Sequence, residues 1–428
     1  MKIRIQKIKP QEFICCILVI GVISAGWLTT FLGGNWSYCD DILTVCTMIA
    51  LICSIFFSKR KKRFNVNALK ICILAIILVC IGIIGNELSG FQKKTFAIML
   101  DCLSWQKFFL VYASCLIIIK EERSSIYMNI AELIAKILVL IGFILAVFNF
   151  IGIIQLAPEF DRYGIHSFAF GGHPSNAASI FAIVTSILLE DTSKNKKFIM
   201  LSLIIEILTF RFKAIAFSVF VVYMLFFSKM SVIKTRYKIP TWIKIIPIIM
   251  ILLFVCGDQI QFYFLNPQAS RARALIASFK IAKDFFPFGS GFASFGTLMS
   301  GEYYSYAYIK YGLSQVWGFM NGEGLYSFIG DGGFATIIAQ FGCIGLIVVL
   351  CSLYVVYKSA KQQNKEMEHR NILTYAILGY LIISQSNEGA LNAENAVLFA
   401  LVLAIHVKKC IFANKSKEFN GSMVNGKI

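Results

Sequence analysis

Apolar segments of about twenty residues recur from Phe13 to Val407, separated by short charged connections, and this spacing limits the possible folds more than any other feature. Hydrocarbon offers a bare backbone no hydrogen-bond partner, so only helices or closed barrels cross a bilayer, and a helix needs roughly 20 mostly apolar residues to do so. The segments are too long and too evenly apolar for the alternating strands of a barrel. The sequence therefore predicts an all-α polytopic membrane protein, one integral membrane domain over residues 1–428. Twelve spans are expected, near 13–32, 41–58, 68–87, 98–119, 126–153, 174–190, 197–210, 212–228, 243–257, 332–357, 371–387 and 393–407. The N-terminal MKIRIQKIK and its apolar run lack a following small-residue cleavage site, so they read as a first helix and not as a signal peptide.

Cations set the orientation. With the N-terminus in the cytoplasm, 29 of the 41 Lys and Arg fall on the inner side, so the positive-inside rule places both termini there. The net charge of +18 then reflects topology signals beside anionic lipid, such as Lys59 to Arg63, and does not call for a nucleic-acid partner. Most of the thirteen cysteines lie in apolar runs and read as small packing residues. No C-x-x-C pair or Cys/His cluster has metal-ligand spacing, so neither a metal, another cofactor nor a disulfide framework is expected.

Three outer segments exceed a simple connection. Gln155 to Ala178 carries Arg162, His166, His173 and a Gly-Gly-His-Pro turn leading into a helix that opens with Ser175 and Asn176. That composition fits either an anion site at a helix start or a capped turn with surface histidines. In LTFRFKAIAF, Arg211 and Lys213 lie between apolar segments with no acid beside them. They either snorkel to lipid headgroups or hold an anion such as a lipid-linked diphosphate. The third is the stretch 257–331, a large extracytoplasmic loop between the ninth and tenth spans, with five cations, five anions and many aromatics. A loop of that length is functional or disordered, and this composition is not that of disorder. Within it, SRARALIASFKIAKDFF fits an amphipathic helix lying along the membrane, with Leu275, Phe279, Ala282 and Phe286 on one face and Arg273, Ala277, Lys280 and Asp284 opposite. The glycines of FPFGSGFASFG allow a compact turn close to a ligand. Tyr303, Tyr304, Tyr306, Tyr308 and Tyr311 form either an aromatic belt or a stacking platform for sugar rings.

The order of these features resembles the O-antigen polymerase and ligase family, in particular the branch that polymerises capsular or exopolysaccharide repeat units in Gram-positive bacteria. The residues that carry it run from about 155 to 360: the Arg211/Lys213 turn, two spans, an outer loop opening with Arg271 and Arg273, then PFGSGFASFG, then GDGGFATIIAQFGCIGLI into the next span. The resemblance implies a GT-C-like membrane fold and a metal-independent glycosyltransferase in a bacterial cell membrane. Such an enzyme transfers a growing glycan from undecaprenyl diphosphate onto a second lipid-linked repeat unit at the outer face. Flippase and chain-length regulator proteins are its implied partners, beside the lipid-linked substrate and membrane lipid.

Without a metal, departure of the diphosphate calls for aimed cations. On this reading Arg211 and Arg273 are catalytic, and Lys213, Arg271, Lys280, Arg162, His173, Tyr303 and Tyr304 bind substrate. The base that takes the acceptor proton is sought among Asp331, Glu302 and Glu323. Glu388, Asn392 and Glu394 stand near the last outer turn without a spacing that selects them. Two alternatives remain. One is a ligase, although ligases of the family carry a histidine late in this loop and none lies between His173 and His369 here. The other is a lipid-linked oligosaccharide transporter, although the candidate charges gather on one side and so suit one-faced chemistry better than alternating access.

Overall fold

The computed structural model describes residues 19–24, 38–56, 65–161, 164–232, 266–322, 324–363 and 371–425, and among them all regular structure is helical. In chain order the helices are α1 (Cys39–Phe56), α2 (Val66–Ser89), α3 (Thr95–Ile118), α4 (Glu121–Phe150), α5 (Pro174–Leu188), α6 (Thr192–Leu208), α7 (Phe212–Val232), α8 (Ser270–Asp284), α9 (Leu298–Glu302), α10 (Tyr306–Lys310), α11 (Gly333–Gln363), α12 (Ile372–Gln385) and α13 (Ala396–Asn425). Ten of the expected spans coincide with these helices. The first is described only over 19–24, which is helical, and the ninth, 243–257, lies outside the described residues. Among the described residues five helices are long and apolar enough to cross a bilayer: α2, α3, α4, and α11 and α13 over Gly333–Lys361 and Ala396–Ser416. Two shorter apolar stretches, Phe212–Phe226 and Ile372–Gln385, accompany them. This is a helical membrane protein.

The membrane body is a set of neighbours: α3 packs between α1, α2 and α13, α11 packs on α2, and α5 packs between α4 and α6. Small residues permit the close approaches. A side chain at Gly142 of α4 would strike the Phe181 ring, and one at Gly379 of α12 would strike that of Phe220.

The loop expected at 257–331 is folded over its described part. Its own core joins Ala277 and Ile281 of α8 to Phe295, Tyr308, Leu313, Val316 and Phe319, with Phe91 and Ala339 from the membrane body. The helix 270–284 forms as expected, and the structure adds a packing face that the pattern did not specify. It packs on α11 with Ala272, Ala274, Ala277, Ser278 and Ile281 buried, because only small side chains let two helices approach so closely. Phe279 and Phe286 are left 57% and 72% exposed. Ala277, placed among the cations by the sequence pattern, is thus a packing residue.

FPFGSGFASFG proves to be a plug. In α11 a left-handed Gly342 (φ 60°, ψ −159°) breaks the helical ladder. The carbonyls of Ala339 and Gln340, set free by that break, accept from the N–H groups of Ser290 and Gly291 at 2.8 Å each. On the other side Asn86 of α2 accepts from Phe292 N–H and donates to Phe292 C=O, both at 2.8 Å, and Asp101 of α3 accepts from Ala293 N–H at 2.5 Å. A Cβ at Gly289 would lie 2.5 Å from Gly342 N, and one at Gly291 2.5 Å from Asn86 Cγ. These glycines are required by their close approach to Gly342 and Asn86.

Candidate functional site

Five segments converge at the end of the molecule where α5, α7 and α11 begin and α12 ends. The α6–α7 reversal is tight: Phe210 takes φ 50°, Thr209 Oγ1 accepts from Arg211 N–H (3.3 Å), and Leu208 C=O accepts from Phe168 N–H (2.9 Å). It sets the Arg211 guanidinium 5.2 Å from the centre of the Phe160 ring, which meets His173 edge-on at 4.5 Å. His173 caps α5, its Nδ1 accepting from Ser175 N–H at 3.0 Å.

Lys213, the second residue of α7, donates to Ser179 Oγ (3.0 Å) and to Glu388 Oε1. Glu388 also accepts from Ser175 Oγ (2.6 Å) and Ser384 Oγ (3.1 Å), so a single carboxylate ties α5, α7 and α12 together. Next to it, Arg271 donates from Nε (3.1 Å) and Nη2 (2.8 Å) to Asp331 Oδ2, and from Nη1 to Asn387 Oδ1 (2.7 Å). Two backbone bonds join the GDGG segment to the Asn387 turn: Gly332 N–H to Asn387 C=O (3.1 Å) and Gly389 N–H to Gly330 C=O (3.3 Å). Gly333 is required here, since a Cβ would lie 2.7 Å from Glu388 O.

The electrostatics follow from this crowding. Burial, then Arg211 and Lys213, push the His173 imidazole down to about 4 against the pull of Glu388. Burial raises the Asp331 carboxyl above its ordinary value, and Arg271 opposes this without cancelling it. Burial also works against charge on Glu388, but Lys213 and the Ser175 and Ser384 hydroxyls outweigh it and hold that carboxyl low. With His173 neutral, three cations face two carboxylates. The N-terminal ends of α5, α7 and α11 add partial positive charge, so the region suits an anion.

The residues singled out in the sequence divide clearly. Arg211, Lys213, Arg271, His173 and Asp331 come together. Lys213 is 1% exposed and held by Glu388, so it positions that carboxylate and does not meet a ligand. Arg273 points elsewhere from α8 and donates to Gln268 Oε1, while Lys280 is exposed further along the same helix. Glu302 is exposed at the end of α9. Tyr303 packs its ring against Phe96 of α3 and so joins the loop to the membrane body, and Tyr304 donates its hydroxyl to Phe319 C=O at 2.7 Å within the loop. Arg162 and Glu323 lie outside the described residues. Ser179, Ser384 and Asn387 carry no signal in the sequence, since small hydroxyls and amides at span ends have no periodicity, and Ser175 stands out there only as a helix start. In the sequence Glu388 stands only as an acid near a turn.

Among the described residues no three His, Cys, Asp or Glu side chains gather into a metal-holding group. The chain matches no family model and no curated protein sequence.

Proposed function

We propose that this protein is a membrane glycosyltransferase, a polysaccharide repeat-unit polymerase that moves a growing glycan from undecaprenyl diphosphate onto a second lipid-linked repeat unit at the outer face of a bacterial cell membrane. The observation that carries this reading is the convergence of Arg211 and Arg271, from two separate segments, at three helix N-termini beside the carboxylate Asp331. Arg211 and Arg271 hold the diphosphate and stabilise the negative charge that grows on it as the glycosidic bond breaks. Asp331 is the carboxylate that takes the proton of the attacking sugar hydroxyl; its raised proton affinity suits that task better than that of Glu388, which Lys213 keeps ionised. A GT-C-like arrangement of twelve spans with both termini cytoplasmic accompanies the reading.

Purified protein in lipid nanodiscs, given the lipid-linked repeat unit alone, is expected to produce a ladder of longer lipid-linked glycans and to release undecaprenyl diphosphate. A transporter or a ligase lacking its acceptor gives no ladder, and that outcome would overturn the proposal.

A further inference from the structure

This inference rests on the donor-site reading above. The Arg271 guanidinium already has an anion on it. Two of its N–H groups converge on Asp331 Oδ2 and a third reaches Asn387 Oδ1, an arrangement of oxygens that resembles what a phosphate group presents to an arginine fork. The pair is reachable: the Arg271 and Asp331 side chains are 18% and 26% exposed, in contrast to Lys213. The carboxylate sits in a tight, glycine-flanked turn. Asp331 stands between Gly330 and Gly332, at φ 106° and 95°, and the position of a Cβ on Gly330 is open space. The backbone on either side is held, by Gly332 N–H to Asn387 C=O, Gly389 N–H to Gly330 C=O and Asp331 N–H to Phe328 C=O, so the carboxylate moves by rotation about its own side-chain bonds while the helix that follows stays in place.

We propose that Asp331 is a masked base. In the substrate-free protein Arg271 holds it; the diphosphate of the donor lipid takes its place on Arg271, and the freed carboxylate turns to the acceptor hydroxyl. A diphosphate carries more charge and more oxygen acceptors than one carboxylate, so Arg271 gains by the exchange. A carboxylate that loses its cationic partner binds a proton more tightly, so the base reaches full strength only once the donor is seated. The acceptor oxygen then bonds to the anomeric carbon. The bond from that carbon to the diphosphate oxygen breaks, and its electron pair leaves with undecaprenyl diphosphate. The acceptor's proton passes to Asp331 and from there to water.

The test is binding of undecaprenyl diphosphate to the full-length protein in nanodiscs, with turnover measured in parallel. Asp331→Asn removes the competing charge, so it is expected to bind about tenfold more tightly than wild type, while turnover falls by about a hundredfold or more. Asp331→Ser, which also removes the charge, is expected to shift binding the same way and guards against an effect peculiar to Asn. Arg271→Ala is expected to lose the binding. If wild type binds and both Asp331 variants bind equally or more weakly, the exchange is wrong and Asp331 merely supports the site. If wild type fails to bind undecaprenyl diphosphate, the donor-site reading itself falls.

Discussion

At the scale of single residues, the geometry of His173 fixes its chemistry. Its Nδ1 accepts a backbone N–H, so the neutral ring carries its proton on Nε2. The folded imidazole resists protonation down to about pH 4, whereas the unfolded one takes a proton near 6.5. Between those values the unfolded chain binds more protons, so this stabilisation is complete above about pH 6.5 and is lost as pH falls toward 4. Thermal melts of purified protein at pH 7.5 and 5 are expected to show the loss in wild type and a smaller one in His173→Asn, which keeps a capping oxygen and does not titrate. An equal loss in both would remove His173 from the account. Lys213 and Glu388 make a second residue-scale case. Removing one partner of a buried ion pair leaves a buried charge and costs about 3–5 kcal/mol, while replacing both is often nearly neutral. Lys213→Met is therefore expected to lower the melting temperature strongly, and Lys213→Met with Glu388→Gln to recover most of it. If the double variant recovers nothing, the pair does more than balance charge.

At the scale of elements, the plug formed by 286–296 shows why the α11 kink exists. Asn86 gives Phe292 both a donor and an acceptor, as a neighbouring strand would. Asn86→Ala leaves two buried backbone groups without partners, at about 1–3 kcal/mol each, and is expected to release the loop from the membrane body. Hydrogen exchange over 286–296 should rise in that variant; unchanged protection would show that the glycine packing alone holds the plug. The helices themselves were legible in the sequence because a bilayer imposes their length and composition: α1 to α7 and α11 to α13 all fall on expected spans. The glycines of the plug were legible as a tight turn but not as a contact, since the carbonyls they meet are exposed by a kink at Gly342, some fifty residues away. The face by which α8 meets α11 is not legible in the sequence for a related reason. Periodicity ranks faces by hydrophobicity, whereas close approach to α11 selects the alanine face.

At the scale of the whole molecule, charge separates into two ends. α5 begins at Pro174, with Ser175 beside Glu388, and its fifteen residues at 1.5 Å each carry the chain about 22 Å towards Glu190, just beyond its far end. There Glu190 pairs with His406 (2.5 Å) and Lys409 (2.9 Å), and Glu121 with Lys415 (2.7 Å). The Arg211–Arg271 end is expected to face out. A membrane-impermeant thiol reagent applied to intact cells should label Lys280→Cys and spare Lys415→Cys in a background lacking the native reactive cysteines; the reverse pattern would invert the topology. The candidate site itself was half legible. Arg211, Arg271 and Asp331 stand out as charges in an apolar chain. Which of Arg271 and Arg273 matters depends on the face of α8 that meets the Asn387 turn, and no local pattern encodes that.

That distinction also gives the most direct test of the site. In cells whose only copy carries Arg271→Ala, single lipid-linked repeat units are expected to accumulate while the protein stays in the membrane at wild-type amount. Cells with Arg273→Ala should keep chains of wild-type length. Full-length chains from Arg271→Ala, or a block confined to Arg273→Ala, would contradict the assignment.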